Sequence, residues 1–170
     1  MMSPSPDELA PSTPAPLREA LSAAVDVWKS ALGPRLISVV LFGSCARGDA
    51  TATSDIDVLV VAEGFPRSLS ERRRELLDLY ARVRETGQLS PVGWSLVTKT
   101  PDEARAHSPL YLDMVEDARL LFDRDGFFAG VLESMRTRMR ELGSRRVFLP
   151  GGSWYWDLAP GFRFGDEVRI

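Results

Sequence analysis

Two apolar, β-rich runs, Leu36 to Phe42 and Ile56 to Ala62, bracket a polar segment that opens Gly43-Ser44-Cys45-Ala46-Arg47-Gly48 and closes Ser54-Asp55. Runs of this kind, bounded by Gly and Ser/Asp, read as buried strands. The segment between them has room for a short helix and a return loop. Strand, short helix, strand is therefore the unit around which the rest must fold. Residues two apart on a strand share a face, so Asp55 and Asp57 project together and Ile56 points the other way. Adjacent carboxylates repel unless a cation sits between them. Hard oxygen ligands favour Mg²⁺, which keeps waters and takes further ligands from substrate phosphates. Two ions roughly 3.5–4 Å apart clamp the attacking and leaving oxygens of an in-line displacement. Gly43 allows a sharp turn and close approach of phosphate to the backbone. Ser44 offers a hydroxyl and starts a helix whose free amides attract phosphate. Arg47 adds a charged fork, and Ser54 caps or braces the turn into the second strand. The chemistry this arrangement suits is metal-assisted nucleotidyl transfer.

On Gly43, Ser44, Asp55 and Asp57, with the flanking Ala46-Arg47-Gly48 and Ser54, the chain resembles the minimal nucleotidyltransferase family of the DNA polymerase β-like superfamily. The signature is Gly-Ser, about ten residues, then Asp-x-Asp, on a strand–helix–strand unit. A β-turn followed by a solvated acidic loop is the competing reading, and the two flanking apolar runs weigh against it. The resemblance spans roughly residues 17 to 100. It implies catalytic and metal roles for Asp55 and Asp57, and nucleotide binding by Gly43, Ser44, Arg47 and Ser54. It also implies two Mg²⁺ ions and an NTP substrate, with ATP the expected one. Members of the family supply a third carboxylate from a later strand. Here Val92 to Lys99 is the candidate strand, and the acid's position falls on Ser95. Three readings follow: catalysis with two carboxylates, a contribution from Asp102 or Glu103, or a domain that binds nucleotide without turnover.

A formal charge of −3 offers no overall attraction for nucleic acid, so nucleic-acid binding is not expected. The Arg clusters at Arg72 to Arg74 and Arg136 to Arg146 read as solvated helix faces. One cysteine, Cys45, excludes an intramolecular disulfide and a cysteine-based zinc site. Cys45 reads as a small packed residue and the lone His107 as a helix-end or surface residue. No secretory signal or membrane-length apolar run is visible, and the expectation is a soluble cytoplasmic protein with no membrane partner.

Pro, Ser and Thr crowd residues 1–16, which predicts a disordered N-terminus. Leu17, Leu21, Val25, Trp28 and Leu32 recur at helical spacing until Gly33-Pro34, with Trp28 expected in the core. Ser68 and Glu71 make a capping-box signal for a helix to about Glu85, with Leu69, Leu76, Tyr80 and Val83 inward and Gly87 as the stop. Thr100-Pro101-Asp102-Glu103 is a second such start. Further helices are expected from Ser108-Pro109 to about Glu116 and over Phe127 to Leu142, with a short strand at Leu120 to Phe122. In the tail, Trp154 and Trp156 share one face of an extended segment and Tyr155 takes the other.

The expected fold is α/β, an α+β mixed sheet of the polymerase β-like type. Residues 17–146 form the nucleotidyltransferase domain with its C-terminal helices, and residues 147–170 an aromatic arm. The arm packs on its own domain or docks a second subunit or partner protein, which makes homo-oligomerisation through it one expectation. The expected activity is Mg²⁺-dependent transfer of NMP to a hydroxyl. A partner protein, such as a HEPN-type toxin in an antitoxin-like pairing, is the preferred acceptor. The alternatives are a small molecule such as an antibiotic, or a silent binding module.

Overall fold

Strand β1 (Leu36–Phe42) is buried from Leu36 to Leu41 and forms the interior of a four-stranded sheet ordered β3-β2-β1-β4. The structure, a computed structural model, describes residues 13–51, 53–86 and 93–163. β1 pairs antiparallel with both β2 (Ile56–Ala62) and β4 (Arg119–Asp123), whereas β2 pairs parallel with β3 (Trp94–Lys99). The sheet is mixed, and its parallel pair needs a crossover. Helix α3 (Leu69–Glu85) lies within that crossover.

Alternation along β1 and β2 sends successive side chains to opposite faces. Val39, Leu41, Val58 and Val60 pack with Trp28 of α1 (Ala15–Leu32) and Leu79 of α3. Val40, Leu59 and Val61 pack on the other face with Met114 of α5 (Tyr111–Asp117) and Phe128 of α6 (Phe127–Leu142). Asp57 shares the parity of Leu59 and Val61, so it belongs to the α5–α6 face. Trp28 is fully buried and meets Trp94 edge-on at 5.9 Å. Burying these side chains contributes about 25 cal/mol per Å² of apolar area removed from water.

The buried carboxylate of Asp123 is well satisfied. Ser38 Oγ donates to it at 2.6 Å, and the backbone N–H groups of Phe128 and Ala129 donate at 2.9 and 3.0 Å. An acid at the end of β4 thus caps α6 through space. Among the described residues no helix is long and apolar enough to cross a membrane.

Several expectations need correction. α1 begins at Ala15, inside the segment expected to be disordered; residues 1–12 lie outside the described residues. Ser68 precedes α3 but its side chain makes no cap bond, because its Oγ pairs with Ser70 Oγ at 2.9 Å. On α3, Leu79 and Val83 are the buried pair, while Leu76 and Tyr80 are half-buried at the rim. Gly87 and Val92 fall outside the described residues, and β3 is described from Trp94. The capping box at Thr100 and Glu103 forms in both directions and starts α4 (Pro101–Arg105).

The tail does not run on as a single extended segment. Strands β5 (Arg145–Phe148) and β6 (Trp154–Asp157) form an antiparallel hairpin that begins just before residue 147. Arg146 is not a solvated helix residue: it lies on β5, and its side chain is 15% exposed between Asp113 and Asp117. Arg72 likewise is 15% exposed and pairs with Glu103.

Candidate active site

β1 ends at Phe42, opposite Asp57, and Asp57 lies opposite Ser95 on β3. One row across the sheet therefore runs Phe42, Asp57, Ser95. Gly43, at φ 70°, turns the chain out of β1 into α2 (Gly43–Arg47), and Gly48 at φ 86° ends it. By helix geometry the first amides of α2 have no intrahelical acceptor. With five residues, α2 offers those amides and little helix dipole.

Asp57 explains the glycine at 43. A Cβ there would overlap the Asp57 carboxylate at Oδ2, and a Cβ on Gly93 would overlap the Asp55 carboxylate at Oδ1. Each acid thus lies close against a glycine. Neither carboxylate receives a hydrogen bond or ion pair from any described residue. Asp55 is exposed and Asp57 half-exposed.

Two bare carboxylates on one face suit a hard divalent cation. Among the described residues no third His, Cys, Asp or Glu joins them to form a metal-binding group of three. That set fits Mg²⁺ only if water and substrate phosphate complete the shell, which is how Mg²⁺ is ordinarily bound.

Ser95 stands beside Asp57, so the row holds a hydroxyl where a third acid would go. Asp102 and Glu103 cannot fill in. They follow the far end of β3, which lies about 13 Å along the strand from Ser95 at 3.3 Å per residue. Glu103 is also held by both terminal nitrogens of Arg72, at 2.9 and 3.0 Å, and by Thr100 N–H. Neither acid therefore stands in for the third carboxylate.

Ser54 braces the return loop. Its Oγ accepts from Thr51 N–H at 2.9 Å and lies 3.1 Å from Thr51 Oγ1. Arg47 Nε donates to Asp49 Oδ2 at 3.1 Å, and its guanidinium sits 4.9 Å from the centre of the Trp154 ring. Arg47, Gly43 and Phe42 line a cavity of about 220 Å³ that Met114 and Asp117 close from α5. Cys45 is buried, and its thiol lies 3.5 Å from the Asp55 carbonyl oxygen. Burial first, then the nearby Asp57 charge, pushes the thiol pKa up, so it stays protonated at neutral pH.

The hairpin docks beside this cavity. Trp154 and Trp156 both donate their indole N–H to Asp113 Oδ1, at 3.1 and 2.8 Å, while Tyr155 is exposed. The expected division of faces therefore holds. Sequence reasoning missed Gly93, whose only signal was a glycine placed just before a strand that pairs with the acids. It also missed the Asp113, Asp117 and Arg146 cluster, which no local pattern marks.

A profile of the nucleotidyltransferase domain family matches residues 21–121. A Methanocaldococcus jannaschii protein named as a protein adenylyltransferase is 30% identical over 128 residues, covering 74% of this chain and 85% of the relative. A second protein of that name from the same organism is 44% identical over 45 residues, 26% of this chain and 45% of its own length. A chain of a toxin–antitoxin crystal structure with AMP-PNP is 20% identical, with a TM-score of 0.46 over 72% of this chain and 92% of its own. A chain from a complex of a tri-AMPylated Shewanella oneidensis HEPN toxin with an MNT antitoxin is 17% identical, with a TM-score of 0.43 over 74% of this chain and 92% of its own. With its Gly-Ser turn and Asp-x-Asp strand inside the matched span, this chain belongs to the nucleotidyltransferase domain family and is a nucleotidyltransferase.

Proposed function

We propose that the enzyme transfers AMP from ATP, with Mg²⁺, to a hydroxyl group on a partner protein. The observation that carries the reading is the pair Asp55 and Asp57, free of protein donors and set against the glycine backbones at 43 and 93. The name borne by the 30%-identical relative supports ATP as donor and a protein as acceptor. The sequence resemblance makes a HEPN-type ribonuclease toxin the first acceptor to try.

In this reading Asp55 and Asp57 would hold the metal, which would neutralise phosphate charge. The first amides of α2 and the Ser44 hydroxyl receive the β- and γ-phosphates, and Arg47 adds N–H donors to them. The acceptor oxygen bonds to the α-phosphorus as the bond to the β-phosphate oxygen breaks. Pyrophosphate leaves, and the hydroxyl proton passes to water, since Ser95 offers no carboxylate. Holding the acceptor in line is then the chief contribution the chain makes.

The test is incubation of the purified protein with Mg²⁺ and each α-labelled NTP, with and without host lysate, scoring labelled protein and released pyrophosphate. Label from ATP on a protein, absent with the Asp55→Ala/Asp57→Ala double variant, is expected. Label recovered only on small molecules would replace the protein acceptor with an antibiotic-like one.

A further inference from the structure

The C-terminal hairpin lies beyond the matched family span of residues 21–121, yet it touches the residue assigned to the triphosphate. We infer that the hairpin is part of the nucleotide site, and that Trp154 is a positioning residue for Arg47. The inference rests on the proposed role of Arg47 toward phosphate.

The contacts form one chain of support. Asp113 Oδ1 accepts from both indole N–H groups and from Arg146 Nη2 at 3.2 Å, and Asp117 Oδ2 accepts from the same Nη2 at 2.8 Å. Arg146 lies 5.2 Å from the centre of the Trp154 ring and 5.1 Å from that of Trp156. Phe148 flanks Trp154 with ring centres 6.2 Å apart. The Trp154 ring is thereby fixed in place, and its π-system carries Arg47 at 4.9 Å.

A ring and a phosphate do not compete for the same part of a guanidinium. The ring attracts the cation through its quadrupole, while the N–H donors radiate in the guanidinium plane. Nε of Arg47 is used by Asp49, an acid whose side chain is 55% exposed. The Nη donors have no acceptor among the described residues, and Arg47 lines the cavity that Gly43 shares. A free arginine side chain carries considerable rotamer entropy. Holding it over the ring before nucleotide arrives removes part of that cost from binding. Trp156 shares the Asp113 anchor, but the ring that faces Arg47 is that of Trp154, so Trp156 serves as the comparison.

The experiment measures the affinity of the full chain for Mg²⁺ with a non-transferable ATP analogue by calorimetry, together with thermal unfolding. Arg47→Ala and Trp154→Ala should each weaken binding about three- to tenfold. Trp154→Phe, which keeps a ring but loses the N–H, should restore most of it. The Arg47→Ala/Trp154→Ala double variant should bind no more weakly than Arg47→Ala alone, because the two act as one unit. Trp156→Ala should lower the melting temperature and weaken binding clearly less than Trp154→Ala does. Additive losses in the double variant, or an equal loss with Trp156→Ala, would show a merely structural hairpin and overturn the inference. Binding that depends on Asp55 and Asp57 but not on Arg47 or Trp154 would overturn it while leaving the nucleotide site standing. A wild type that binds no nucleotide would overturn both.

Discussion

Among the described residues, two pairs of acids are treated in opposite ways. Asp113 and Asp117 on α5 are one turn apart and surrounded by donors: Arg146 reaches both, and two indoles share one oxygen. Asp55 and Asp57 on the leading edge of β2 have no donor among the described residues and lie against glycines instead. The first pair is an internal joint between helix and hairpin. In the second the repulsion is left in place, which is sensible only where a cation from solution will relieve it. Donor count is what separates the two pairs, and under the proposed function it marks Asp55 and Asp57 as the ligand-binding one.

The largest predicted effect breaks the unsatisfied pair. Asp55→Ala/Asp57→Ala should abolish metal-dependent nucleotide binding and transfer. Its melting temperature in metal-free buffer should be unchanged or higher, because no hydrogen bond or ion pair is lost. A clear loss of thermal stability would mean the two acids hold the fold and would erase the contrast with α5. Gly43→Ala comes next. It places a side chain at φ 70° and onto the Asp57 carboxylate. We expect about 1–2 kcal/mol of destabilisation and at least a roughly 100-fold fall in transfer, since a displacement of about 1 Å at the reacting centre costs that much.

Breaking the satisfied pair should give the reverse profile. Asp113→Ala strips one acceptor from Arg146 and from two indoles while Asp117 remains. About 1–2 kcal/mol of stability should be lost, which for a chain of this size lowers the melting temperature by about 2–4 °C per kcal/mol. Transfer should fall only as far as the hairpin loosens its hold on Arg47. A variant that melts normally and yet transfers nothing would move Asp113 into the chemistry. Ser95→Asp sharpens the comparison from the other side by adding an acid beside Asp57. A dedicated base is worth about 100- to 10,000-fold. We expect the change in rate to stay below that range, as befits an enzyme that works with two carboxylates. A gain within the range would show that the native row lacks its base.

The two acid pairs also mark what could be read from the chain alone. The Gly-Ser and Asp-x-Asp segment is legible because its strand, turn and helix are neighbours in sequence, and their periodicities state which side chains share a face. The strand order is less so. β4 is short, and nothing local says that it joins β1 while β3 joins β2. Ser68 satisfied a capping pattern that failed, since a neighbouring serine competed for its hydroxyl. The joint at Asp113 was invisible, because its donors come from residues 146, 154 and 156, and only the folded hairpin brings them to α5. Trp154 and Trp156 were legible as a shared face, but not what that face would meet.

The smallest effect is at Glu103, another carboxylate, well satisfied and far from Asp57 and Ser95. Hydrogen bonds from the Arg72 guanidinium are the main reason its carboxyl is held below the usual range; desolvation opposes them and Thr100 N–H assists. A folded value below the unfolded one, near 4.5, means the native state prefers the ionised form. The stabilisation is therefore present above the unfolded value and is lost as the pH falls through the folded one. Glu103 is 39% exposed in its side chain, so solvent screens the pair, and the gain should be below about 1 kcal/mol. Denaturant midpoints for wild type and Glu103→Gln should thus differ slightly at pH 7 and converge on acidification below about pH 4.5. Transfer at pH 7 should be the same in both, which is the outcome a catalytic Glu103 could not give. A difference that widened on acidification would reverse the sign and mean that the folded protein favours the protonated acid.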